Sequence, residues 1–135
     1  MKSKCNVLCT HLVLLFYVLL ISYLSLMPVS DMQSKWILFA HADKIVHFGF
    51  YFLFAILVFR ALLAINKTSP GILVLLSFLI PVVYGGAIEL AQEYLVTDRS
   101  AEFLDFFANV LGASLGAYLY RLFFRSQLAV ICSEA

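Results

Sequence analysis

The stretch Ile45–Ile65, IVHFGFYFLFAILVFRALLAI, decides the fold. It holds two basic side chains, His47 and Arg60, and no acid. A helix needs ~20 mostly apolar residues to cross a bilayer, and this run supplies them. The turn-forming Asn66-Lys67-Thr68-Ser69-Pro70-Gly71 then stops it.

Working outward, three more stretches meet the same test. One runs from about Cys9 to Met27 and ends at Pro28 and Ser30-Asp31. Another runs from about Ile72 to Leu95 and contains Pro81 and the pair Gly85-Gly86; a proline there removes a backbone hydrogen bond and bends the helix. The last runs from about Phe103 to Phe124. The expected fold class is all-α: a polytopic, four-transmembrane-helix bundle with helices at about 9–27, 45–65, 72–95 and 103–124. Residues 1–135 form one membrane domain.

Composition agrees. The chain has 135 residues, 64% hydrophobic and 13% charged, against ~25% charged in an ordinary soluble domain. A core of this length cannot hide so much apolar surface, so the solvent for it is lipid. The net charge of +1 and the lack of any basic stripe exclude a nucleic-acid partner. Cys5, Cys9 and Cys132 sit near the termini without regular spacing and read as reduced thiols. The first span has a basic start at Lys2 and Lys4, but Ser25-Leu26-Met27-Pro28 offers no small-x-small cleavage site, so it reads as a retained anchor.

Six of nine basic residues, Lys2, Lys4, Arg60, Lys67, Arg121 and Arg125, fall on one side. The positive-inside rule makes that side the cytoplasm, with both termini there. In the opposite loop, Trp36 to Phe39 suit an interfacial segment. Seven of the eight acids fall toward the other side: Asp31, Asp43, Glu89, Glu93, Asp98, Glu102 and Asp105. Acids do little to set topology, so the clustering has another cause.

Helical spacing resolves this cluster into faces. Asp43 and His47 are four apart at the start of the second span and share a face. Gly85, Glu89 and Gln92 share one near the end of the third. Asp105, Asn109, Gly112 and Gly116 form one stripe of the fourth, with Arg99 in the connection before it. That connection is short, which makes the third and fourth helices antiparallel neighbours. Gly112-x-x-x-Gly116 allows close backbone approach and is a packing seam. Asp105 and Asn109 on its stripe then point inward, toward Glu89 and Gln92. The expectation is a polar pocket just below the outer surface, lined by helices two, three and four.

Each group carries two readings. Glu89 is a general acid or base, or else an ion-pair partner of Arg99 or Lys44; a carboxylate inside a span is costly to keep, which favours function. Asp43–His47 has the form of a base oriented by a carboxylate, but such pairs at helix starts are ordinary caps, and structure is the stronger reading. Lys44 and Arg99 bind an anionic head group or neutralise neighbouring acids, with equal weight. Asp105 is the residue of its stripe least suited to packing alone. His41, Asp43, His47 and Glu89 match no standard zinc spacing, so no metal and no cofactor is assigned. Glu93, Asp98 and Glu102 read as solvated loop charge.

The order Asp43-Lys44-x-x-His47-x-x-x-Tyr51, Glu89-x-x-Gln92, Arg99, then Asp105-x-x-x-Asn109-x-x-Gly112 resembles the VanZ-like family, over roughly Ile37 to Tyr120. That family takes its name from a membrane protein linked to low-level teicoplanin resistance. The resemblance implies a small protein of the bacterial cytoplasmic (inner) membrane with a role in the cell envelope. It does not supply a reaction.

Three functions compete. In the first, the outer pocket binds or processes the head group of a membrane lipid or lipid-linked envelope component, with Glu89, His47 and Asp105 as candidate reacting groups and Asp43, Lys44, Gln92, Arg99 and Asn109 as binding groups. No serine or cysteine stands beside them in a nucleophile motif, so any reaction falls to water or an acceptor activated by Glu89 or His47. In the second, the charges are a packing network of a structural or regulatory subunit. Proton-coupled transport ranks last, because no inward-side acid completes a path and no inverted repeat is present. A homo-oligomer is compatible with each; no protein partner is implied.

Overall fold

A computed structural model describes residues 2–27, 42–65, 69–96 and 102–123, with side chains of the first helix described from Asn6 onward. Four helices account for nearly all of them: α1 (Lys2–Leu26), α2 (Ala42–Ile65), α3 (Pro70–Leu95) and α4 (Phe103–Phe123). All four are long and apolar enough to cross a membrane, and no strand occurs among the described residues. α1 starts before its apolar stretch, at Lys2 rather than near Cys9. The backbone stays helical through a polar turn because a helix satisfies its own hydrogen bonds whatever its side chains face.

Local sequence sets the ends. Pro70 opens α3 at a position where its missing N–H is no loss, and the Leu73 N–H closes the first turn on the Ser69 carbonyl at 3.1 Å. The Glu102 carbonyl does the same for α4, accepting from Asp105 and Phe106 at 3.0 and 3.2 Å. Asp43 and Asp105 stand in the first turns of α2 and α4, where a negative charge suits the positive helix end.

α2 is the central helix and touches the other three. It is buried on several sides, through Tyr51, Phe54, Ala55, Leu57, Val58, Phe59 and Ala61. α4 lies on it through a stripe of small residues, Ala108, Gly112, Ala113, Gly116 and Ala117. A Cβ at Gly112 would run into the Phe48 carbonyl oxygen, and one at Gly116 into that of Phe52. The two helices therefore run parallel with backbones in contact, and the glycine seam faces α2, a partner the spacing alone left open. α4 also packs on α3.

α1 is the most loosely held. It buries Tyr17, Ile21 and Ser25, one residue per turn, while Leu12, Leu15, Phe16 and Leu19 are exposed to what must be lipid. Side-chain hydrogen bonds fasten it. The Tyr17 hydroxyl donates to the Phe50 carbonyl at 2.8 Å, Ser22 bonds the Tyr84 hydroxyl, and Gln92 Nε2 donates to the Ser25 carbonyl at 2.8 Å. In α3, Pro81 has no N–H for the Ser77 carbonyl one turn earlier. The Ser77 hydroxyl turns back to the Val74 carbonyl at 2.9 Å.

Candidate functional site

The ends of α1 and α3 and the starts of α2 and α4 meet at one end of the bundle, the acidic end. Lys44 is its centre of charge. Its Nζ donates at 2.9 Å to each of three carboxylates: Asp43 Oδ2, Glu102 Oε2 and Asp105 Oδ1. One ammonium against three carboxylates leaves this group with a formal excess of two negative charges. The three carboxylates lie within 4.8 Å of one another, a metal-like cluster, but the ammonium already bonds all three.

Deeper in, the groups are buried. Asn109 on α4 has no exposed surface and Glu89 on α3 is 6% exposed. His47 Nδ1 lies 3.0 Å from Asn109 Oδ1. An amide oxygen only accepts, so Nδ1 carries the proton. Asn109 Nδ2 points the other way, to Glu89 Oε1 at 3.5 Å. The amide thus joins imidazole and carboxylate with both of its ends used consistently. His47 Nδ1 and Glu89 Oε1 are also 3.7 Å apart directly, an ion pair whenever the imidazole is protonated. With Nδ1 so engaged, His47 Nε2 is the ring atom left to meet a ligand, and the side chain keeps 12% of its surface exposed.

Space for this junction comes from Gly85. A Cβ there would stand 2.9 Å from Tyr51 Cε1 and 3.1 Å from Asn109 Nδ2. Tyr51 is buried, close enough to Glu89 to feel its charge, and its hydroxyl has no hydrogen-bond partner among the described residues. A buried polar group without a partner is rare and calls for an explanation.

The structure therefore brings together Asp43, Lys44, His47, Glu89, Asp105 and Asn109, from α2, α3 and α4. Three expectations need correction. Gln92 does not face Asp105 and Asn109; it turns to α1 and satisfies the Ser25 carbonyl, one of the last four carbonyls of that helix that lack a helical donor. Asp43 and His47 share a helix side but not a bond: Asp43 goes to Lys44 and His47 to Asn109. Glu102 is not merely solvated loop charge but a ligand of Lys44. Arg99 and His41 lie outside the described residues. Tyr51 stands in the ordered motif without an assigned role there; its place one turn beyond His47, on the same face, is the signal that it lies beside this group.

No curated protein and no solved structure matches the chain. The sequence profile of one family does, described as VanZ/LLP1, over residues 8–124. The match reaches beyond the motif residues at both ends, into α1 and through α4. A four-helix membrane bundle with this ordered set of polar residues at one end, matched over nearly its whole length, belongs to the VanZ-like family.

Proposed function

We propose that the acidic end holds the polar head of an amphiphile of the bacterial cell envelope, a membrane lipid or a lipid-linked wall component, while its tails stay in the surrounding bilayer. The observation that carries this is the buried chain His47–Asn109–Glu89. A carboxylate inside a span is costly and marks function by default. Here it is joined to an imidazole by a fully buried amide, beside a tyrosine hydroxyl that has no hydrogen-bond partner among the described residues. His47 Nε2 and the Tyr51 hydroxyl are the atoms offered to a ligand. Asn109 is a positioning residue, because it fixes the tautomer of one group and the orientation of the other. If a group is transferred or hydrolysed, His47 Nε2 is the base for the attacking water or acceptor.

The charge pattern narrows the head group. Lys44 is occupied by three carboxylates, so it neutralises acids rather than receiving an anion. An acidic rim favours a head rich in donors, such as amines, amides and hydroxyls. Lipoglycopeptides such as teicoplanin carry such groups, and protection against teicoplanin is the expected phenotype of expression in the inner membrane.

The test is Glu89→Gln, with membrane abundance and teicoplanin susceptibility measured together in a sensitive host. The reading expects unchanged abundance and loss of protection. Loss of both together would mean that Glu89 chiefly holds helices. Where wild type gives no protection, retention of amine-bearing envelope lipids by wild type and Glu89→Gln replaces the phenotype, and equal retention would overturn the reading.

One observation favours a second reading, a structural or regulatory subunit: two 2.9 Å ion pairs, from Lys44 to Glu102 and to Asp105, bind the start of α2 to the start of α4. The two readings assign different residues, so Lys44 can serve packing while Glu89 serves function.

A further inference from the structure

The other end of the bundle, where α1 and α3 begin and α2 and α4 finish, holds a groove of about 800 Å³. Its floor is one face of α2: Phe52, Ile56, Arg60, Leu63 and Ala64. Asn6 and Thr10 of α1 form one wall, and Leu119, Tyr120 and Phe123 of α4 the other. From Phe52 to Ala64 a helix rises ~18 Å, about one leaflet of a ~30 Å hydrocarbon core. The deep part is apolar; the shallow part contains Arg60.

Arg60 is exposed, stands inside a span, and makes no hydrogen bond or ion pair among the described residues. This sets it apart from Lys44, which has three acids. An intramembrane cation with no acid beside it among the described residues is expensive and points to an anionic counterpart. The α2 helix ends five residues later at Ile65, ~7.5 Å along the axis, so the guanidinium reaches head-group depth by extending along its stem. The exposed carboxamide of Asn6 stands on the facing wall. Arg121 is in the last turn of α4, and the sequence places Lys2, Lys4, Lys67 and Arg125 at or just beyond the same helix ends. Basic pockets between transmembrane helices on the cytoplasmic side take phospholipid head groups.

We infer that this groove seats one anionic phospholipid, its phosphate on Arg60 in the guanidinium's fork geometry and an acyl chain along Phe52, Ile56 and Leu119. The occupant is a lipid rather than a free anion because an apolar run of ~12 Å, most of a leaflet's depth, lies below Arg60. The site lies at the end opposite His47 and Glu89 and is independent of what they do.

The experiment is native mass spectrometry of the full chain released from mixed phosphatidylglycerol and phosphatidylcholine vesicles. Wild type retains one phosphatidylglycerol in preference to phosphatidylcholine. Arg60→Gln weakens that preference about fivefold, the effect of one basic side chain at a lipid surface, and Arg60→Lys keeps most of it. Ala64→Trp, which fills the groove and leaves the charge, lowers retention of both lipids and stands as the test by itself if Arg60→Gln fails to accumulate. Equal retention of the two lipids by wild type, or unchanged retention by either blocking variant, overturns the inference.

Discussion

α4 and α1 are both held against the rest of the bundle, but by opposite means. α4 meets α2 through shape, glycines against backbone. α1 meets α2 and α3 through side-chain hydrogen bonds from Tyr17, Ser22 and Gln92, with few buried apolar residues. In lipid the hydrophobic effect does not press helices together, so close packing and interhelical hydrogen bonds are what remains. The difference teaches which helix tolerates change. A backbone contact has no freedom to yield, whereas a hydrogen-bonded helix loses its ties one at a time.

The sharpest way to break the comparison is Gly112→Ala. The added methyl meets the Phe48 carbonyl, which cannot move without moving α2. Overpacking against a rigid neighbour costs about 3 kcal/mol or more, and the variant should fail to accumulate in the membrane. Normal abundance and an unshifted melting temperature in detergent would show that the seam is looser than drawn.

Next comes Lys44→Met, which leaves Asp43, Glu102 and Asp105 facing one another. Breaking a buried charge group costs ~3–5 kcal/mol; Asp43 and Glu102 are half exposed, so about 2 kcal/mol is expected here. Adding Asp105→Asn should recover part of the lost abundance. A double variant no better than the single one would remove the ion pairs from the list of forces joining α2 to α4.

The smallest effect should come from α1. Gln92→Leu removes its bond to the Ser25 carbonyl, and interhelical hydrogen bonds in membranes average ~0.6 kcal/mol. A fall of a few degrees in melting temperature is expected, with abundance unchanged. A collapse like that of Gly112→Ala would make the two attachments equivalent and end the contrast.

Much of this was legible in the sequence, and the rest failed for identifiable reasons. Span length and apolarity are properties of a line of residues, so the four helices could be read without knowing what they touch. Periodicity then gave the shared faces of Glu89, Asn109 and His47, which do converge. It could not give side-chain direction. Gln92 sits one turn from Glu89 yet reaches across to α1, where its amide donates to the Ser25 carbonyl. Glu102 looked like loop charge because its role depends on where α4 starts. The α1 contacts were invisible, since Tyr17 and Ser22 are ordinary residues in a lipid-facing helix.

The glycine seam also has a consequence for biosynthesis. Gly112 emerges 64 residues after Phe48, the group it must touch. At ~5–20 residues per second, the start of α2 waits for several seconds before Gly112 arrives, while α3 is made in between. During that interval His47 and Glu89 have no Asn109 between them, and Lys44 lacks both Glu102 and Asp105. The nascent protein is thus a three-helix intermediate with its polar groups unmatched, and insertion of the last helix is the step that completes both the packing and the site.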